Sequence, residues 1–544
     1  MKYDFTTRVN RKGQGSFKWE DMYAKKPNVA DGIVPLSVAD MEFKNAPEII
    51  EGLKNYLDQV VLGYTMANKE YKKAVCNWMK EKHNFEIQED WIINTAGVVP
   101  AFFSAIQEFT KEGDGVIIMT PVYYPFFNAI NLQGRKLIDC PLIEKDGMYY
   151  IDYDLFDKLS QVSENKVLLF CSPHNPVGRV WTKEELKKLS DIILKNEVLL
   201  LSDEVHFDII MPNKKHTVFQ TIDDKLAERT ITFTAPSKTF NLAGMGMSNT
   251  IIKNKELHDR FINSLNRTCS IPFTALGYKS CEIAYTQCEE WLKECLEVIY
   301  KNQQLIVEFF EKNYPEIKVI RNEGTYLLWV DFRALNMEPE DLEKFMINEA
   351  SIFLDEGYIF GENGKGFERF NLAAPTSVIE ETLQRLDKAL KKLKNNWDKY
   401  TSTLTEFKIE FDTIFLPLLG FNSDNNLKKI PLFDNELSKV AAKGMFENYE
   451  NWNILTPTRN TLHEVEEKYK KIVADHYKTE ITKESGITIY KKLVDIEDYI
   501  SQFHIVYYNK YINTYYNNLI KTAKLPYLDY IIFFKSEIPN LKFK

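Results

Sequence analysis

Between about residues 90 and 250, short uninterrupted apolar runs alternate with stretches of helical periodicity. WIINTAG, GVIIMTP, KVLLFCSP, VLLLSDE and TITFTAPS are such runs, each ending in turn or polar residues. A strand covered on both faces needs apolar side chains in both directions, so unbroken apolarity predicts parallel strands buried under helices. VVPAFFSAIQEF supplies a helix after the first run, and TKEELKKLSDIILKN opens with a capping-box pattern, Thr182 followed by Glu185. The region predicts an α/β fold with a mostly parallel sheet and helices on both faces.

Farther along, residues from about 273 to 312 predict one long helix or two consecutive ones, ended by Pro315. IKVIR and TYLLWVDFR predict strands, DLEKFMINEA a helix, and EETLQRLDKALKKLKNNW a closing helix near residue 397. This pattern predicts a small α+β domain packed on the first. The expected catalytic region is 1–395, with a large domain at about 50–290 and a small domain formed from 1–49 and 291–395. Residues 398–544 are rich in Asn, Lys and Tyr and predict a mostly α-helical C-terminal domain. Tyr508, Tyr511 and Tyr515 fall there at helical spacing, a pattern that core packing explains more often than recognition does. The segment shows no repeat and no catalytic motif. It reads either as an interaction module for a protein partner or as an added oligomerisation and lid element.

Composition narrows the class. A chain of 544 residues can bury more than one core. A net charge of -9 leaves no basic footprint for nucleic acid, and no apolar run has the length to span a bilayer. The polar N-terminus lacks the apolar stretch of a signal peptide, so a cytoplasmic location is expected. Seven cysteines without a CxxC pair are neither a disulfide framework nor a zinc site, and no metal is expected. Cys281, Cys288 and Cys295 recur every seven residues, which small residues on one helix face explain better than a redox stripe does.

Several apolar runs deliver polar residues just past their carboxyl ends, where open α/β sheets bind ligands. Lys238, in TFTAPSKTFNLAG, lies four residues beyond a strand among small residues that leave room for a flat ring. A lone loop lysine is usually solvated. Asp203, in LLLSDEVHF, stands at a strand end where a carboxylate can hold a pyridine nitrogen protonated, although a helix cap or salt bridge is the plainer role. Asn175, between Pro173 and Pro176, has an amide suited to a phenolic oxygen. Gly97, Val98 and Val99 lie at a strand-to-helix turn that offers backbone amides to a phosphate, or is simply a turn. Tyr123 and Tyr124 offer an aromatic lid. Arg369 suits a substrate carboxylate, with a surface ion pair as the alternative.

In order and spacing these residues resemble the fold-type I pyridoxal-phosphate family, and within it the cystathionine β-lyase branch related to the MalY and PatB C–S lyases. PLSVADMEF, GYT, TAGVVPA, TPVYYPFF, SPHNPVGRVWTKEEL, SDEVHFD, APSKTFNLAG, EGTYLLWVDFR and FERFNLAAP carry the resemblance, from about residue 1 to 395. It implies the fold-type I architecture and pyridoxal 5′-phosphate held as a Schiff base on Lys238. It places Asp203 at the pyridine nitrogen, Asn175 at the phenolic oxygen and Tyr123 stacked on the ring. Val98 and Val99 would offer amides to the phosphate, with Ser237 assisting, and His206 would lie near the cofactor. Arg369 and Ala39 would bind the substrate. Tyr64 would reach the neighbouring subunit's phosphate, implying a homodimer with shared active sites. Ser37 stands where the family usually has tryptophan, which bears on the substrate and not on the cofactor.

The implied reaction is β-elimination from cystathionine, cysteine or a related S-conjugated amino acid, giving a thiol, pyruvate and ammonia. Lys238 would act as general base at Cα, with Tyr123 and Asp203 as its catalytic companions. An aminotransferase shares every cofactor contact and is the first alternative. A regulatory protein that uses the enzyme fold as a scaffold is the second.

Overall fold

Successive residues of the central strands enter opposite cores, as strand geometry requires. Val116 and Ile118 pack with Ala101, Phe102 and Ala105 of the helix Val98–Phe109. Their neighbours Ile117 and Met119 pack with Leu186, Leu189 and Ile193 of the helix Lys183–Lys195. Each such side chain is fully or almost fully buried, a contribution of about 1.5–3 kcal/mol for each Val, Ile, Leu, Met or Phe. The predicted capping box is present: Glu185 N donates to Thr182 Oγ1 at 3.1 Å, and Thr182 N to Glu185 Oε2 at 2.8 Å.

The structure is a computed structural model that describes the backbone of residues 1–410 and side-chain surroundings through residue 395. Met1–Asp387 form one compact unit. The predicted helical domain at 398–544, with its tyrosine row, lies outside the described residues except for the end of one helix. That helix, Thr376–Glu410, continues past the expected stop near 397 because no Gly or Pro interrupts it.

All five predicted strand runs join one seven-stranded sheet. Its order is Ile92–Thr95, Ser248–Ile251, Thr230–Thr234, Leu199–Asp203, Asn165–Cys171, Gly115–Ile118 and Lys136–Asp139. Ser248–Ile251 runs antiparallel to both neighbours and the other pairings are parallel. The register sets Cys171, Asp203 and Phe233 abreast. The polar residues just past these positions therefore gather at one end of the sheet.

A four-stranded antiparallel sheet is ordered Lys318–Ile320, Leu327–Asp331, Phe367–Asn371 and Asp355–Glu356. Its register places Arg369 between Trp329 and Asp355. The N-terminal segment joins it, Leu36 N donating to Phe353 O and Asn371 N to Leu36 O, both at 2.9 Å. The 273–312 region forms two helices, Ala275–Gln287 and Glu289–Asn313, interrupted at Cys288. Cys281, Cys288 and Cys295 are buried free thiols among helix contacts. Among the described residues no helix is long and apolar enough to cross a membrane, and no cluster of three or more His, Cys, Asp or Glu could hold a metal ion.

Candidate active site

Lys238 sits in the short helical turn Pro236–Thr239, just beyond the strand Thr230–Thr234. Its Nζ donates to the Ala39 carbonyl at 2.7 Å. Burial lowers its pKa to about 8, with Asp40 and Asp203 opposing that fall and Arg369 and Lys18 deepening it. These electrostatic partners bring the N-terminal segment, the central strand ends and the small sheet to one amine.

Asp203 ends its strand in a buried position, where its carboxylate accepts a 3.2 Å bond from Val205 N. Desolvation raises its pKa to about 7, against the pull of that amide and of Lys238. Neither a helix cap nor a salt bridge describes it. Among the described residues its carboxylate forms no ion pair, although the charge of Lys238 acts on it.

Arg369 is not the surface residue of the plainer reading: it is 2% exposed, and its guanidinium pairs with Asp355. Its Nη1 donates to Asn175 Oδ1 at 2.8 Å. Because arginine only donates, this bond engages the carbonyl half of the Asn175 amide and leaves the NH2 half as a donor. Arg369 Nε, although buried, has no hydrogen-bond partner among the described residues.

Burial raises the pKa of Tyr123, which stands partly buried beside Tyr124 at a ring separation of 5.2 Å. His206 is buried, and desolvation holds its pKa well below the usual value, assisted by the charges of Lys238 and Arg369. Its Nδ1 lacks a partner. Gly97 has φ 151° and ψ 165° as the N-cap of Val98–Phe109. A Cβ there would meet only Pro100, at 3.5 Å and beyond, so the backbone angle and not crowding calls for glycine. Helical bonding begins with Ala101 N to Gly97 O, so the Val98 and Val99 amides precede it and point out of the helix end. Tyr64 lies apart, 92% exposed with its ring against Phe273.

The donor set fits pyridoxal phosphate. Ser172 Oγ, Thr234 Oγ1 and His206 Nδ1 are buried polar atoms without partners at or just beyond strand ends, where native proteins normally satisfy such groups. Asp203 is a buried carboxyl suited to a protonated ring nitrogen, Asn175 retains its donors, and a helix start stands ready for an anion. A flat ring with a basic nitrogen, an acidic oxygen and a phosphate completes each of these.

The sequence reading missed the supports behind these residues. Asp208 accepts from Thr239 Oγ1 at 2.7 Å and Trp78 Nε1 at 3.0 Å, and bonds His83 Nε2 at 2.7 Å. This node fastens the Lys238 turn to the loop carrying His206. Glu204 accepts from Ser202 Oγ at 2.8 Å and Phe219 N at 3.0 Å, and bonds His216 Nε2 at 2.7 Å, bracing Asp203 from behind. Run together in SDEVHFD, these acids offered position as their one signal, directly after a buried strand.

The fold and the site define a pyridoxal-phosphate enzyme of fold type I. The chain belongs to the aminotransferase class I and II family, whose model matches residues 31–386. Cystathionine beta-lyase PatB of Bacillus subtilis (strain 168) is 37% identical, over 71% of this chain and 100% of its own. Cystalysin from Treponema denticola, solved with its pyridoxal 5′-phosphate cofactor, is 64% identical over 72% of this chain and 100% of its own, with a TM-score of 0.72. The PLP-bound C-S lyase from Staphylococcus hominis is 29% identical over 72% of this chain and 98% of its own, with a TM-score of 0.67.

Proposed function

We propose that the chain is a pyridoxal-phosphate-dependent carbon–sulfur lyase of the cystathionine β-lyase type. The observation that carries this reading is the 37% identity along the full length of cystathionine beta-lyase PatB. The cofactor, when bound, supplies an electron sink that acidifies the Cα proton of an amino acid joined to it.

In this reading the protein's residues divide the remaining work. Lys238 would hold the cofactor and, as a free amine, would take the Cα proton at Nζ. A pKa lowered to about 8 leaves a useful fraction of that amine neutral near neutral pH. Asp203 would keep a proton on the ring nitrogen, and Asn175 would donate to the phenolic oxygen. Arg369 Nε, together with the Ala39 segment, receives the substrate carboxylate and so orients the Cα–H bond. Asp355 and Asn175 hold that guanidinium in place. Tyr123 would cover the ring and exclude water, while Val98, Val99 and Ser237 would hold the phosphate. The Cβ–S electron pair departs with the thiolate, and water completes the conversion to pyruvate and ammonia. L-Cystathionine and L-cysteine should each yield pyruvate with the full chain, measured by lactate dehydrogenase coupling. A keto acid formed in stoichiometry with an added acceptor, and no thiol, would assign it as an aminotransferase instead.

The reading includes a homodimer. Val61, Leu62, Tyr64 and Met66 are 67–92% exposed, and Phe273 beside them is 53% exposed; contiguous apolar surface of this kind marks an interface. Tyr64 would cross to the second copy's phosphate. Light scattering should give twice the chain mass, and Leu62→Asp with Met66→Asp should reduce it to one chain. Tyr64→Phe should keep the dimer yet weaken cofactor retention about tenfold, the value of a lost hydrogen bond to a charged group. A wild-type chain that runs at single mass with full cofactor retention would remove Tyr64 from the site.

A further inference from the structure

Two buried donors converge on one peptide oxygen. The Ala39 carbonyl accepts from Lys238 Nζ at 2.7 Å and from the Tyr326 hydroxyl at 2.8 Å. Tyr326 is fully buried, and its ring meets His206 edge-on at 5.8 Å. A carbonyl oxygen has two lone pairs, so these donors occupy it fully.

The peptide bearing this oxygen cannot turn. Asn371 Nδ2 donates to Val38 O at 2.8 Å and to Asp40 O at 2.7 Å. Val38 N donates to Asp355 Oδ2 at 2.8 Å, and Asn241 brackets Met41 by accepting from its N at 2.9 Å and donating to its O at 3.0 Å. Below the segment, Lys18 Nζ lies 2.8 Å from Asp40 and 2.9 Å from Glu42, while Arg11 lies 2.9 and 2.7 Å from the same two acids. Four carbonyls in succession, Val38 through Met41, are thus held by fixed partners.

We propose that the Ala39 carbonyl is the seat of the Lys238 amine whenever that amine is not bonded to the cofactor, and that Tyr326 is a positioning residue which, by sharing the oxygen, limits how tightly the seat holds it. The inference rests on the reading of Lys238 as the cofactor-bonding lysine. An amine that donates N–H to a carbonyl directs its lone pair away from it, so the seat presents a base to the cleft. An ammonium gains more than a neutral amine from an acceptor, and two donors on one oxygen weaken each other. Sharing with Tyr326 therefore favours the neutral amine. The charged groups facing Lys238 divide the same way: Asp40 and Asp203 favour the ammonium, Arg369 and Lys18 oppose it, and His206 is held neutral by burial.

The test uses the full chain freed of cofactor, with Lys238 acetylation by acetic anhydride followed by mass spectrometry across pH. The wild-type midpoint is expected at about 8. Tyr326→Phe should raise it by about half a unit, and cofactor uptake at neutral pH, read by absorbance, should slow about threefold. Replacing Tyr326 with 3-fluorotyrosine, a stronger hydroxyl donor, should lower the midpoint. Opposite shifts are beyond a purely structural role, and the fluorinated chain keeps the test available should Tyr326→Phe fold poorly. An unchanged midpoint in the variants, or shifts of the same sign, would overturn the proposal. That failure is distinct from failure of the functional reading, in which Lys238→Ala would retain covalently bound cofactor.

Discussion

Lys238→Ala should retain no cofactor through borohydride reduction and gel filtration in denaturant and should form pyruvate from L-cystathionine at least about a thousandfold more slowly, because in the proposed function one side chain serves as covalent tether and as base. The fold should survive the change. Ala39 O keeps the Tyr326 hydroxyl as a donor, and the lost ammonium was desolvated, so its removal relieves a cost. Thermal unfolding of the cofactor-free variant should therefore match wild type. Undiminished pyruvate formation would sink the assignment of the lysine, whereas a collapsed fold would show that its bond to Ala39 is structural.

Asp203→Asn should lower turnover about a hundredfold or more, since an amide cannot hold a proton on the ring nitrogen as a carboxylate does. The same change should stabilise the cofactor-free chain. The wild-type carboxylate has a pKa raised to about 7, well above the usual aspartate value, because it is buried with one amide as its hydrogen-bond partner. A carboxyl group raised in the folded state destabilises that state above about pH 7, and the penalty is relieved as pH falls through 7 and the folded form takes up the proton. The variant lacks the charge at every pH. Its unfolding temperature at about pH 8 should exceed wild type by about 2 °C or more, and the gap should narrow progressively as pH falls from 7 toward about 4. Equal differences at both pH values would mean that Asp203 carries no such penalty. Activity and stability move apart because the site stores an unpaired charge for its ligand.

Much of this was legible along the chain. The strand runs predicted the sheet, and Lys238, Asp203 and Asn175 were found just past strand ends, where the sheet gathers them. Arg369 was legible as a candidate for a substrate carboxylate, yet its environment was not. A pairing with Asp355 across an antiparallel register, and with Asn175 from a loop 194 residues away, depends on how two sheets meet. No local pattern encodes such a meeting.

The N-terminal segment makes the same point more sharply. PLSVADMEF drew attention through Ser37, whose buried Oγ has no partner. Its chemically engaged atom is instead the Ala39 carbonyl, and a backbone oxygen has no signature in a sequence. Tyr326 was an unremarked member of a strand run until its hydroxyl proved to share that oxygen.

The sequence by itself determined the strands and helices, and it pointed to pyridoxal phosphate and to Lys238 as the residue to hold it. The elements follow from local periodicity, and the cofactor from the order and spacing of motifs at strand ends together with the family resemblance they carry. The tertiary structure alone decided how that lysine is held. Its pKa and its seat on Ala39 arise from Asp40, Arg369, Asp203 and Tyr326, which are remote in sequence and close in space. Electrostatics and hydrogen bonding act over a few ångströms of space, so only packing decides which distant residues come to bear on Lys238.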